Sequence, residues 1–409
     1  MKSMYGRCAG IDVHKEILVV CVRIEGQELP VESFGATSAE ILRLGDWLAL
    51  HGVTIAAMEA TGVYWKPLWN LLEDRFELML VNAQHIKRVP GRKTDAKDCQ
   101  WIAQLLECGL LQPSFVPPLP QRELRDLTRQ RTQLQGDRAR VLNRVQKVLE
   151  SGNIKIAGLI SDLSGVSGRK VLHALAEGKL SPEKMADLVD ARMEAKKPAL
   201  REALVGKVTA HHRFMLAQLL DQMKHLDGQI ASFDLRIQEV MSPLEQELIQ
   251  TLDKIPGFDV RTGQNILAEI GPDMSRFPTA AHLCSWAGLC PGNNESAGKR
   301  RSGRIRKANR WLKAALTQSA WGASRTRKSY FAEQFRQLST RRGRKRALIA
   351  VAHSLLEVAY HLIKAPERTY MDLGTNHFND LRDTDQQANR MVRRLQRLGY
   401  DVTAIKKAA

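Results

Sequence analysis

Four carboxylates in the first hundred residues have types and positions that could do chemistry together. Asp12 lies in the apolar run CAGIDVHKEILVVCV, Glu59 in VTIAAMEATGVYW, and Asp95 and Asp98 open the helical stretch KTDAKDCQWIAQLLE. On a helix, positions 95, 98, 102 and 105 share one face, so with Ile102 and Leu105 turned inward the two aspartates sit at its buried edge. If the strands carrying Asp12 and Glu59 are neighbours, the four acids converge into an all-oxygen site for Mg²⁺ or Mn²⁺. Two such ions about 4 Å apart can clamp the attacking and leaving oxygens of a phosphodiester exchange. Gathered without a cation, the carboxylates would repel one another. The spacing alone serves equally well for four unrelated surface acids that cap helices or pair with cations.

A second candidate lies in the segment PGNNESAGKRRSGRIRK, residues 291–307, which reads as a loop. Ser296 stands in a small-residue turn just before Lys299, Arg300 and Arg301. A serine among phosphate-binding cations could attack a phosphodiester while arginines stabilise the developing charge. The plain alternative is a loop serine or helix cap, and Ser302 competes for the same role. No histidine is adjacent, so a hydrolase triad is not suggested. A Walker loop is excluded, because Arg300 follows Lys299 where Ser or Thr is required and the glycine spacing is wrong. His14, His85, His282 and His353 are scattered, without an HExxH or Cys/His cluster. His14 reads as structural, or as a contact to phosphate.

These residues need elements to hold them. Residues 5–25 are strand-like, with a return run at 29–35. A helix at 38–51 follows, with Ile41, Leu44 and Leu48 at helical spacing and Thr37 or Ser38 as cap. Strands at 53–58 and 77–81 flank a helix at 62–74, residues 84–94 form a basic loop, and a helix runs from Thr94 to about Cys108. Alternating strands and helices make an α/β layered domain, closed by the Pro-rich segment 113–120. Two long amphipathic stretches, 121–150 and 199–242, could form an antiparallel hairpin or a coiled coil between subunits. In 249–292, two helices around Ile255-Pro256-Gly257-Phe258 suggest a helix-hairpin-helix able to hold a phosphate, or an ordinary helical turn. An apolar helix at 347–363 precedes a polar tail with a short final helix. The expected division is 1–118, 119–245, 246–366 and 367–409.

The chain has 409 residues and a net charge of +18. Residues 286–346 hold 17 lysines and arginines against two acids, Glu295 and Glu333, so nearly all the excess is regional. A concentrated cationic surface is the footprint of phosphate binding. The six cysteines form no CxxC pair and read as reduced thiols, neither a disulfide frame nor a zinc site. No uninterrupted apolar run reaches the roughly 20 residues that span a bilayer, and MKSMYGRCAG has no signal-peptide core. The expectation is a cytoplasmic, nucleoid-associated protein with no membrane partner.

Five motifs in order carry a family resemblance: IDVHK (11–15), MEATGVYW (58–65), KTDAKDCQWIAQLL (93–106), IPGF…ILAEIG…LCSWAGLCPG, and ESAGKRRSGRIRKANRWLKAAL (295–316). Together they resemble the DEDD-type insertion-sequence transposases, bridge-RNA-guided serine recombinases, over about residues 5–365. The resemblance implies a RuvC/RNase H-like mixed sheet with helices, a long helical coiled-coil middle, and a mainly helical C-terminal domain. It implies Asp12, Glu59, Asp95 and Asp98 as Mg²⁺ or Mn²⁺ ligands and Ser296 as the nucleophile that becomes joined to DNA phosphate. It implies strand exchange without net hydrolysis, and a dimer of dimers acting on donor and target double-stranded DNA with a structured non-coding RNA. The cations expected to meet nucleic acid are Lys93, Lys97, Lys299, Arg300, Arg301, Arg304, Arg306, Lys307 and Arg310. Ala297 and Ala308 depart from the pattern, standing where glycine is expected. A metal-dependent, structure-specific RuvC-like nuclease and a non-enzymatic nucleic-acid-binding protein are the alternatives.

Overall fold

The computed structural model describes residues 4–403 apart from 61, 83–97, 293, 297–298, 306–307 and 381–383. The chain divides into two compact units, Met1–Pro117 and Pro118–Ala409.

The first unit is built on a six-stranded sheet. The strand-friendly run 5–25 folds as two strands rather than one, β1 (Arg7–Val13) and β2 (Ile17–Ile24), antiparallel with Ile11 opposite Val20. The polar residues His14–Glu16 make the reversal, closed by the His14 amide donating to the Ile17 carbonyl. A two-residue strand, β3 (Gln27–Glu28), precedes the return run 29–35, which contains β4 (Glu32–Gly35); both are antiparallel to β2. Helix α1 (Ser38–Leu50) is capped by Thr37, whose hydroxyl accepts from the Glu40 amide, and it buries Ile41, Leu44 and Leu48. Each such leucine contributes about 1.5–3 kcal/mol on burial. Strand β5 (Ile55–Glu59) then runs parallel to β1. Helix α2 (Trp65–Leu72) leads to β6 (Glu77–Val81), parallel to β5. The path order is β3-β2-β1-β5-β6.

Period-two alternation gives the sheet two apolar faces. Ile11, Val20 and Met58 pack with Ile41, Leu44 and Leu68 of α1 and α2. On the opposite face Cys8, Ile55, Ala57 and Val81 pack against Ile102, Leu105 and Leu106 of α3 (Asp98–Glu107). The basic loop and the expected helix start at Thr94 lie outside the described residues.

The second unit begins with α4 (Leu119–Ser151) and contains α5 (Val166–Glu177), α6 (Pro182–Ala186), α7 (Lys197–Ala203) and α8 (Ala210–Val240). The two long helices pair within one chain, the antiparallel alternative. Arg131 meets Asp234, Arg138 meets Asp227, Arg144 meets Gln222 and Ser151 meets His212. The expected stretch 199–242 is interrupted at Gly206, and α8 starts only after Thr209, which caps it together with His212. Helices α5 to α7 cover the far end around a core of Val145, Leu149, Val171, Leu172, Leu200 and Leu216.

A separate core holds α9 (Pro243–Leu252), α10 (Val260–Ile270), α11 (Ala280–Trp286), α12 (Arg310–Ala323), α13 (Tyr330–Arg342) and α14 (Arg344–Lys364). The segment expected as a loop contains instead an antiparallel pair, β7 (Asn294–Ser296) and β8 (Lys299–Ser302). Gly257, in the turn between α9 and α10, has φ +86, and a Cβ there would stand 2.2 Å from the Ser319 carbonyl oxygen. That turn is backed onto α12, and the amide of Thr262 at the start of α10 is already taken by the Asp259 carboxylate. The Asp259 cap satisfies that one amide, and the turn joins the two helices expected around residues 255–258. Helix α14 is long and apolar enough to cross a membrane by length and composition, but Val351, Ala352, Leu355, Leu356 and Ala359 are buried in the core. The tail carries α15 (His377–Asp380) and α16 (Thr384–Arg397).

Candidate active site

Asp12 and Glu59 sit at the C-terminal ends of two adjacent parallel strands. Ile11 pairs with Met58, so the acids are the next residues in step. Alternation puts Asp12 on the face of Cys8 and Gly10, and Glu59 on the face of Ile55 and Ala57. That is the face covered by α3. The helix runs antiparallel to β1: Met4 donates to the Glu107 carbonyl, Cys8 Sγ lies 3.7 Å from the Ala103 carbonyl oxygen, and Gly10 lies against Cys99 and Ala103. Asp98, the first residue of α3, therefore enters at the end of the sheet where Asp12 and Glu59 emerge. Asp95 lies outside the described residues.

The close approach depends on Gly10. A Cβ there would stand 2.2 Å from the Cys99 carbonyl oxygen and 2.4 Å from the Ala103 amide nitrogen, so only glycine lets the helix backbone rest on β1. Asp12 Oδ2 has a partner in His14 Nε2 at 3.0 Å. Asp12 is mostly covered and His14 more than half exposed. An imidazole on one carboxylate oxygen fixes the orientation of the other. Among the described residues no three His, Cys, Asp or Glu are close enough to hold a metal ion. The donor chemistry of this sheet end is nevertheless hard oxygen, which suits Mg²⁺, an ion commonly bound by one or two carboxylates with water and phosphate completing its shell.

In the second unit, the backbone places Ser296 as the last residue of β7, opposite Lys299, and Ser302 at the other end of the ladder, opposite Asn294. Arg300 pairs with Glu295, and Arg301 follows in β8. At the base, Pro291 bridges Ile305, and the Gly292 amide donates to the Arg304 carbonyl. Arg304 is exposed, and the Arg310 guanidinium lies 4.7 Å from the Trp311 ring centre. Lys93, Lys97, Arg306 and Lys307 lie outside the described residues.

A buried polar hub below this hairpin had no signal in periodicity or motif spacing. Asn309 caps α12, its Oδ1 accepting from the amides of Trp311 and Leu312, while its Nδ2 donates to Glu269 Oε2 at 2.6 Å. Glu269, 2% exposed, takes two bonds from Arg129 at 2.7 and 2.8 Å. Arg125 donates to the Ala268 and Glu269 carbonyls, and burial pulls its pKa down to about 10 against the opposing pull of Glu269. The hub ties α4, α10 and the start of α12 together four residues past Ile305. An acid inside the apolar run ILAEIG was the one visible hint.

The first unit is thus a mixed α/β sheet with two acids at the ends of neighbouring strands, and comparison with known proteins says what kind of protein carries it. Residues 9–154 match the DEDD transposase model of the IS110 group, described as a transposase, and residues 249–336 match the transposase IS116/IS110/IS902 family. The uncharacterized 42 kDa protein of insertion element IS900 from Mycobacterium paratuberculosis is 27% identical over 324 residues, 70% of this chain and 78% of the relative. The 44.8 kDa protein of insertion element IS116 from Streptomyces clavuligerus is 26% identical over 277 residues, 59% of this chain and 68% of the relative. A pilin gene-inverting protein of Moraxella bovis is 28% identical over 149 residues, 35% of this chain and 46% of that protein. The chain belongs to the IS110/IS116/IS902 transposase family, enzymes of DNA transposition that cut and rejoin DNA.

Proposed function

We propose that this transposase exchanges DNA strands through Ser296, with a divalent metal held by Asp12, Glu59, Asp95 and Asp98. The reading is carried by the step-for-step adjacency of Asp12 and Glu59, on one face and at one end of parallel strands, beside the helix that Asp98 opens. Bound there, Mg²⁺ or Mn²⁺ would neutralise charge on the phosphate under attack. Ser296 Oγ forms a bond to phosphorus as the bond to one deoxyribose oxygen breaks. A hydroxyl of the other strand then reverses the step, releasing the serine. One phosphoester replaces another at each stage, so no nucleotide hydrolysis is needed. Lys299, Arg300, Arg301, Arg304 and Arg310 stabilise the charge that develops and hold the backbone, with Lys93, Lys97, Arg306 and Lys307 extending the contact. The cationic excess of residues 286–346 exceeds what one serine requires, which supports a second polyanion, a structured RNA that selects donor and target. A homo-oligomer, a dimer of dimers, would supply the paired sites that exchanging two duplexes needs.

The test is a denaturing gel of the protein with labelled element-end DNA, its RNA and Mg²⁺. A covalent protein–DNA adduct is expected, absent in Ser296→Ala and retained in Ser302→Ala. The second reading, a metal-dependent nuclease, is favoured by His14 on Asp12, since an imidazole beside a metal site can activate water. It predicts free DNA ends and no adduct in the unmodified protein and in either variant.

A further inference from the structure

We infer that the cleft at the root of the β7–β8 hairpin seats an unpaired DNA strand; its role beside the reacting phosphate rests on the Ser296 reading above, its binding does not. The cleft has a volume of about 1160 Å³, above the roughly 300–1,000 Å³ of small-molecule sites. One wall is the hairpin base, with Arg304 and Ile305, and the other is the junction of α13 and α14, with Arg342, Lys345 and Arg346. Among the described residues, four cations line it and no acid does. Among the described residues, none of Arg342, Lys345 and Arg346 is ion-paired. Glu333, the nearest acid along α13, is turned to Arg336.

The junction is also wrong for a protein with nothing bound. Helix α14 starts at Gly343, φ +82, with no side-chain cap and no acid in its first turn. That turn reads Arg344-Lys345-Arg346, positive charge at the positive end of a helix dipole. A phosphodiester there would satisfy both the free amides and the cations. Ile305, Ile349 and Ala350 provide an apolar floor. A duplex keeps its bases stacked inside and could use only the rim, whereas an unpaired strand can lay sugar and base edges on that floor while its phosphates follow the cations.

Fluorescence anisotropy on full-length Ser296→Ala protein tests this without chemistry, using a short labelled DNA strand, its duplex, and an RNA of the same sequence. Arg342→Ala/Lys345→Ala/Arg346→Ala should weaken single-strand DNA binding about tenfold or more. Its log–log salt slope should become shallower by about 2, at roughly 0.7 per lost phosphate contact. Duplex DNA should lose less. An unchanged slope overturns the proposal, as does an equal loss on duplex, or a loss confined to RNA. Because the protein carries no serine nucleophile, these outcomes are independent of the adduct assay.

Discussion

Gly10 and Cys99 are packed so closely that the sheet and the helix share one backbone contact: a Cβ on Gly10 would lie 2.2 Å from the Cys99 carbonyl oxygen. Cys99 follows Asp98, and Gly10 lies two residues before Asp12. The spacing between these two candidate ligands is therefore set by a glycine that touches neither a metal nor DNA.

Gly10→Ala should push α3 off β1. The expected cost is about 1–3 kcal/mol of stability, the range for overpacking a filled core, read from urea unfolding. Mn²⁺ affinity should fall as well, in protein still folded at the assay temperature. A variant that loses stability but binds Mn²⁺ normally would show that the contact does not set the distance from Asp12 to Asp98.

His14 is largely exposed, so His14→Ala should leave stability within about 0.5 kcal/mol. If the imidazole orients Asp12, Mn²⁺ affinity drops about 10- to 100-fold, as for other outer-shell partners of metal ligands. Equal Mn²⁺ titrations for the two proteins would reduce the 3.0 Å contact to a surface pair.

Glu269→Ala would leave Arg129 and Arg125 facing a buried gap. Removing one partner of a buried ion pair costs about 3–5 kcal/mol, measurable as a lower urea midpoint. Asn309→Ala, a milder change, removes a helix cap worth about 1 kcal/mol. With the start of α12 loosened, adduct formation should slow more than unfolding at that cost can account for. Adduct formation at the normal rate would confine the hub to stability.

Burial pushes the thiols of Cys8, Cys21 and Cys284 up to about 12. Each stays protonated in the folded chain while the unfolded chain ionises near pH 9. Stability from these groups is therefore complete below pH 9 and is lost as pH rises toward 12. Unfolding free energies across that window should fall, and Cys284→Ala should flatten the decline. At pH 8, iodoacetamide should modify native Cys108 and leave these three thiols unreacted.

The sheet was legible because its signals are local. Apolar runs ending in an acid locate β1 and β5, and the Ile41, Leu44, Leu48 spacing with Thr37 defines α1. The split of residues 5–25 was not legible, since the polar bend His14–Glu16 is short and carries no Gly, Pro, Asn or Asp to mark a turn. The β7–β8 hairpin read as a loop because Gly, Asn and consecutive cations mask any alternation. Cys284 and Glu269 illustrate a deeper limit. Burial of a thiol or an acid depends on partners far along the chain, His353 for Cys284 and Arg129 for Glu269, and no short window contains both members of either pair.

The pairing of α4 with α8 carries a last consequence. Arg131 faces Asp234 and Arg138 faces Asp227, so each step forward on one helix is matched by a step back on the other. Two facing heptads could be removed, one from each helix, and every remaining pair would keep its partner. The cap of α5 to α7 would then sit about 10 Å nearer the C-terminal core, at 1.5 Å per residue. The length of this helical pair therefore sets the distance between the two helical cores of the second unit.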